Sequence, residues 1–274
     1  MIKIENLNFR YKKGDYILKD INIEIKQGES VAIVGKNGSG KSTLAKLISG
    51  IIKPTKGSVI VDEINTKDKK EYINLRKKIG IVFQNPENQI LFNNIEDELS
   101  FSLRNLELDN QELRINQALE KVKMKKEEIG EIDELSLGQK QRIAIASVLA
   151  VNPAYIVLDE PTTMIDSEGK EAVYNVIKAL NKAGYTIIYV TNNTEEIMLA
   201  DKILILEDGK IVEQIDRNEI LDKTEIIKKY NLKLPTTVRI LDELRKNNIN
   251  IMPEELTIEA IVKKIIEQVK IWKM

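Results

Sequence analysis

Val31-Ala32-Ile33-Val34-Gly35-Lys36-Asn37-Gly38-Ser39-Gly40-Lys41-Ser42 is the stretch whose reading decides the fold. Four consecutive apolar residues are the pattern of a strand buried on both faces. From Gly35 the chain matches G-x-x-x-x-G-K-[ST], and Lys41 to Ser49, closed by Gly50, reads as a helix. In this strand–loop–helix setting the glycines let backbone N–H groups turn inward around phosphate oxygens, and the helix start adds a positive end. Lys41 is expected to reach the β and γ phosphates of a nucleotide, and the Ser42 hydroxyl to bind magnesium. Gly35, Lys36, Asn37, Gly38, Ser39, Gly40 and Thr43 complete the expected cradle.

Two more buried-strand runs, Tyr155 to Leu158 and Thr186 to Val190, flank a helical stretch over 168–182, and strand–helix–strand implies a parallel sheet. Ahead of the glycine-rich loop, Ile2-Lys3-Ile4, Leu7-Asn8-Phe9 and Ile21 to Ile25 read as short alternating strands. Asp208-Gly209 between Ile203–Leu206 and Ile211-Val212 predicts a hairpin. Residues 109–126 read as one amphipathic helix with Ile115, Ala118, Leu119 and Val122 on its apolar face. After about residue 218 only helical periodicity remains, interrupted by Pro235 and Pro253, with an apolar stripe of Ile258, Ile261, Val262, Ile265 and Val269.

The 274 residues suffice for one large domain and an appendage, or for two small domains. Neither Cys nor His occurs, which excludes thiol and histidine nucleophile–base chemistry and sites for zinc, haem or iron–sulfur clusters that rest on those ligands. Any metal is a hard ion held by oxygen. With 42 Lys and Arg against 43 Asp and Glu, no global basic field draws the chain to nucleic acid, and no nucleic-acid partner is expected. No run approaches the ~18–20 apolar residues that cross a bilayer. A cytoplasmic location is therefore expected, with any membrane attachment supplied by another protein.

The second chemical element is Asp159-Glu160, two carboxylates delivered to the C-terminal end of a buried strand, where open α/β sheets place ligands. Asp159 is expected to hold magnesium and Glu160 to polarise the attacking water. Between the two elements lies Leu135-Ser136-Leu137-Gly138-Gln139, running into an apolar helix.

In these motifs and their order, residues 1 to about 215 resemble the ATP-binding subunits of ABC transporters, whose signature loop is Leu-Ser-Gly-Gly-Gln. The resemblance implies a P-loop NTPase of ABC type, an α/β fold whose mixed sheet core carries an antiparallel part and a helical subdomain over about 85–150. It implies a nucleotide-binding domain over 1–218 and a small, mainly helical extension over 219–274. Tyr11 is similar to the residue that stacks on adenine, and Gln84 to the glutamine that touches magnesium and the transmembrane partner. Ser136, Gly138 and Gln139 correspond to the signature loop, and Asp166 to the aspartate that crosses the dimer interface. Val82 to Gln89, Pro161 to Asp166 and Leu232-Lys233-Leu234-Pro235 resemble energy-coupling-factor importers of the cobalt and vitamin type. In these, two ATPases, often different, pair beneath a transmembrane coupling subunit and a separate substrate-capture subunit. The resemblance thus implies ATP and Mg2+ as cofactors, and a place on the cytoplasmic face of the membrane.

Two positions depart from that pattern. Leu137 stands where glycine is usual: either its Cβ and side chain crowd the partner's γ-phosphate, or its φ is negative and the side chain points away. Asn192, in Thr191-Asn192-Asn193, stands where a switch histidine contacts the γ-phosphate; it donates a hydrogen bond but carries no charge. Hydrolysis at the chain's own P-loop is expected to be weakened. In that architecture the two departures fall in different composite sites, which favours a heterodimer with an intact partner. A nontransport ABC protein and a largely noncatalytic regulatory subunit are the competing readings.

Overall fold

The computed structural model describes residues 1–12, 14–251, 253 and 256–272, with side chains up to residue 268. The chain falls into two compact units, Met1–Gln214 and Ile215–Met274.

The first unit is built on two sheets. A six-stranded sheet has the order β10-β9-β3-β8-β7-β6. Its strands are β3 (Ser30–Val34), β6 (Ile79–Val82), β7 (Tyr155–Asp159), β8 (Thr186–Val190), β9 (Lys202–Glu207) and β10 (Lys210–Asp216). The pairs β6–β7, β7–β8, β8–β3 and β3–β9 are parallel. The strands β3, β8 and β7, successive in the sheet, are buried throughout, as their apolar runs require. Asp208 and Gly209 turn β9 into β10 with φ of 47° and 79°, the pair of positive angles a two-residue hairpin turn demands.

The second sheet is antiparallel, with β1 (Ile2–Phe9) between β2 (Leu18–Ile25) and β4 (Lys56–Val61) and the short β5 (Ile64–Asn65) at its edge. The two short strands expected over residues 2–9 are one strand with a bulge. The register with β2 shifts between Ile4 and Leu7, where Asn6 takes φ 46°. Helix α1 (Lys41–Ile48) lies in the core shared by the two sheets: Leu44, Leu47 and Ile48 belong to one buried cluster with Ile2, Ile4 and Leu18 of the antiparallel sheet and Val31 and Ile33 of β3. Each of these fully buried aliphatic side chains contributes roughly 1.5–3 kcal/mol. That packing fixes the start of α1 over the end of β3.

Beside the parallel sheet, α3 (Ile95–Asn105) and α4 (Gln111–Lys121) pack on α5 (Leu137–Val151). The helix expected over 109–126 ends at Lys121, because Lys123 takes φ 55° and Met124 N–H closes back on the Leu119 carbonyl. Ile115, Ala118, Leu119 and Val122 are all buried, so the predicted face is the packed one. Helix α2 (Tyr72–Lys78) leads into β6, and α6 (Ser167–Lys182) connects β7 to β8.

The second unit carries α8 (Thr224–Lys229), α9 (Thr236–Lys246) and α10 (Ile258–Trp272) around Leu241, Ile251 and Ile261. Asp242 accepts from Lys228 at 2.9 Å and Lys246 at 3.2 Å, and these two ammonium groups hold its carboxyl below the usual range. The predicted stripe on α10 divides: Ile261 and Ile265 pack on the core, whereas Ile258 and Val262 are about half exposed. At about 100° per residue, Ile258 and Val262 point roughly 40° and 80° to one side of the direction shared by Ile261 and Ile265. Val269 lies outside the described side chains.

Candidate nucleotide site

Three elements converge at the C-terminal ends of β3 and β7. The loop Gly35–Gly40 leaves β3 and enters α1, and Asp159 closes β7. The Ser42 hydroxyl donates to Asp159 Oδ1 at 2.9 Å, which ties the loop to the strand end. Asp159 is buried, and burial pushes its carboxyl above the usual carboxylate range, with Ser42 pulling the other way and Glu160 adding to the rise. Lys41 is buried as well, and its ammonium donates to the Gly35 carbonyl at 2.7 Å and the Lys36 carbonyl at 3.3 Å. Desolvation lowers its pKa, and Glu160 and Asp159 oppose that.

The loop has the features of an anion cradle. Gly38 takes φ 83°, with open space where a Cβ would stand. Lys36 and Asn37 are exposed, whereas the Ser39 hydroxyl is buried without a hydrogen-bond partner among the described residues. Ser42 and Asp159 together offer hard oxygen donors of the kind magnesium takes, so the residues present fit that ion. Thr43 follows in the first turn of α1.

Glu160 takes φ 48°, and its carboxylate accepts from the Thr163 hydroxyl at 3.2 Å. Asn192 lies over the loop. With its amide nitrogen toward the carbonyls, it donates to Gly35 at 2.8 Å and Thr191 at 3.3 Å, and its oxygen accepts from the Lys41 ammonium at 3.3 Å. The expected switch residue thus touches the P-loop of its own chain.

Gln84 follows β6 at the same end of the sheet, since Val82 pairs with Leu158. Among the described residues no hydrogen bond joins Gln84 to Ser42 or Asp159. Tyr11 is 48% exposed just after β1, edge-on to Phe9 with ring centroids 4.8 Å apart, and its ring is open to a stacking partner.

The signature residues have local roles in this chain. Ser136 caps α5: its hydroxyl accepts from Gln139 N–H at 3.3 Å, while the Gln139 side chain accepts from Ser136 N–H at 2.9 Å. Asp166 caps α6 through Gly169 N–H at 2.8 Å. The two helix starts touch through their glycines, for a Cβ on Gly138 would stand 2.7 Å from Gly169 Cα. Ser136, Gly138, Gln139, Asp166 and Gly169 therefore line one groove. Leu137 is the first residue of α5 and has no positive φ, which removes backbone strain, and its side chain is half-buried.

A set of ties between the loop after β6 and α5 was not read from the sequence. Lys140, nearly buried, pairs with Glu87 at 3.1 Å; Gln141 donates to the Phe83 carbonyl at 3.0 Å; Gln89 accepts from Phe83 N–H at 3.1 Å and donates to the Ala144 carbonyl at 3.3 Å. The only sequence signal was polar residues, Lys140 and Gln141, interrupting the buried side of an otherwise apolar helix.

The ABC transporter family profile matches residues 18–163, more than half of the chain. The chain belongs to the ABC transporter family as an ATP-binding subunit. Among this ABC ATPase's relatives is the energy-coupling factor transporter ATP-binding protein EcfA1 of Caldanaerobacter subterraneus subsp. tengcongensis, 40% identical over 97% of this chain and 98% of its own. The energy-coupling factor transporter ATP-binding protein EcfA of Methanocaldococcus jannaschii is 38% identical over 98% of each. In structure the ABC ATPase is similar to cbiO1 of Clostridium perfringens, described as part of the ABC transporter complex cbiONQ. The TM-score is 0.73 at 35% identity, covering 88% of this chain and 98% of that one. It is also similar to the ATP-binding cassette MJ0796, solved as a dimer with ADP and Pi, at TM-score 0.69 and 35% identity over 79% of this chain and 99% of that one. No helix among the described residues is long and apolar enough to cross a membrane.

Proposed function

We propose that the ABC ATPase powers an importer of the energy-coupling-factor type, for a metal ion or a vitamin, from the cytoplasmic face of the membrane. Residues 1–218 act as the nucleotide-binding domain, 85–150 as its helical subdomain and 219–274 as a C-terminal extension. The observation that carries the site assignment is the Ser42–Asp159 bond, which brings the P-loop and the carboxylate pair at the end of β7 into one site. Ser42 and Asp159, with Gln84 moving in from the β6 end, would hold Mg2+, which neutralises phosphate charge when bound. Lys41 exchanges its loop carbonyls for the terminal phosphates, and Tyr11 receives the adenine. Glu160 orients the attacking water and takes its proton.

Asn192 contacts the loop of its own chain, which supports its assignment to the site that this P-loop forms. It supplies a neutral donor where an imidazole would supply a stronger one, and that favours slower hydrolysis there. Ser136, Gly138, Gln139 and Asp166 face a second ATP-binding subunit. Leu137 affects that partner's site and Asn192 this chain's own, so a heterodimer leaves one departure in each site where a homodimer would have both in both. A transmembrane coupling subunit docks on the loop around Gln84–Gln89, and a membrane capture subunit chooses the cargo.

Glu160→Gln tests the chemical assignment. The variant is expected to bind ATP with parental affinity and to hydrolyse it slowly, with the closed dimer prolonged. Parental hydrolysis would assign the role elsewhere. Purification from membranes with a multi-spanning subunit is the expected result for the importer reading, and purification without one counts against it.

A further inference from the structure

Glu160 holds a left-handed backbone conformation, φ 48°, which a residue with a side chain keeps only where its surroundings enforce it. Two backbone bonds contribute: Glu160 N–H donates to the Val190 carbonyl at 2.7 Å, and Thr163 N–H donates to the Glu160 carbonyl at 3.2 Å. The side-chain hold comes from Thr162. Its buried hydroxyl donates to Glu196 Oε1 at 2.7 Å and accepts from Asn193 Nδ2 at 3.2 Å, so both its donor and an acceptor lone pair are engaged.

Glu196 is wholly buried, in the short helix α7 (Thr194–Ile197) that follows β8. Its Oε2 has no hydrogen-bond partner among the described residues. Burial pushes this carboxyl up, with Glu160 and Glu195 adding to the rise, and its Oε1 is the acceptor for Thr162. A carboxyl in such a place costs free energy unless its hydrogen bonds hold something. What they hold is the turn after Glu160, fastened to the segment Thr191–Glu196 that carries Asn192.

We infer that Glu196 is a positioning residue for hydrolysis: through Thr162 it clamps the Glu160 turn to the switch segment, so that the Glu160 carboxylate and Asn192 stand in one frame over the P-loop. This rests on the reading of Glu160 as the water-orienting group. Neither Glu196 nor Thr162 hydrogen-bonds the P-loop, so loss of the clamp spares nucleotide binding and slows the chemical step.

The test uses the full chain purified with its partner subunits, in five variants: Thr162→Val, Thr162→Ser, Glu196→Leu, Glu196→Gln and Glu160→Gln. Thr162→Val and Glu196→Leu are expected to lower kcat at least about tenfold, equivalent to ~1.4 kcal/mol, with KM for ATP within about twofold of parental. Thr162→Ser and Glu196→Gln keep the donor and the acceptor and are expected to retain most of kcat. Thr162→Val is nearly isosteric, so its result decides the matter if Glu196→Leu fails to fold. Parental kcat in Thr162→Val, or loss in the conservative variants equal to that in the disruptive ones, overturns the inference. Parental kcat in Glu160→Gln overturns instead the assignment of Glu160 on which it rests.

Discussion

Gly138→Ala sets two physical effects against each other at the start of the signature helix. Alanine in place of glycine within a helix ordinarily stabilises by about 1 kcal/mol. Here the added Cβ would stand 2.7 Å from Gly169 Cα and 3.0 Å from Ile165 Cγ2. Gly169 cannot retreat cheaply, because it lies in the first turn of α6 with its N–H held by the Asp166 cap at 2.8 Å. Overpacking of this kind costs ~1–3 kcal/mol, and contact with backbone places the cost in the upper half of that range. The net loss is therefore about 1–2 kcal/mol, a fall of roughly 2–8 °C in the midpoint of thermal unfolding for a unit of this size. Gly130→Ala is the control, since its Cβ would meet only a Glu134 carboxylate oxygen at 3.7 Å. The assay is thermal unfolding followed by circular dichroism, with ATP turnover of the assembled complex measured alongside. Turnover should fall as well, because Ser136 and Asp166 cap the two helices that the methyl forces apart. A midpoint for Gly138→Ala equal to or above the parent's would refute the close-packing reasoning.

Asn192→His should raise single-turnover hydrolysis at this chain's own P-loop; an oxyanion donor is worth about 100- to 1000-fold, and the gain should be smaller because asparagine already supplies a neutral donor. An unchanged or slower rate would make Asn192 an adapted part of a working loop. Leu137→Gly should act at the partner's site, so disabling each P-loop lysine in turn should separate the two effects in a heterodimer; coincident effects would contradict the division between sites. Glu87→Lys opposes two ammonium groups at the nearly buried Lys140 and should lower transport per ATP with nucleotide binding intact, and Glu87→Lys with Lys140→Glu should restore part of it. Loss of ATP binding with undisturbed membrane association would argue against a docking role.

What the sequence made legible follows from how local each signal is. The run Val31–Val34 and the glycine-rich loop state their own conformation, and the strands around residues 155 and 186 in the same sheet are equally plain because burial on both faces leaves their centres apolar. The antiparallel sheet was harder. Lys56–Val61 opens Lys-Gly-Ser and pairs with β1 across the bulge at Asn6, a non-local fit that no window of residues displays. The cap roles of Ser136, Gln139 and Asp166 were concealed by the stronger resemblance those residues carry, although S-x-x-Q is itself a helix-start pattern. The Thr162–Glu196 contact and the Glu87–Lys140 pair span 34 and 53 positions, and only the fold brings such partners together.

The most direct measurement of the central claim is ATP-driven uptake by the assembled complex in lipid vesicles, with the cargo of its co-purified capture subunit, comparing the parent chain with Lys41→Ala. Lys41 is the buried cation of the P-loop, and among the described residues its ammonium is bound by loop carbonyls and Asn192. Removal of this ammonium is expected to abolish uptake while the subunits remain assembled. Undiminished uptake by the variant complex would contradict the claim that this chain's P-loop powers import.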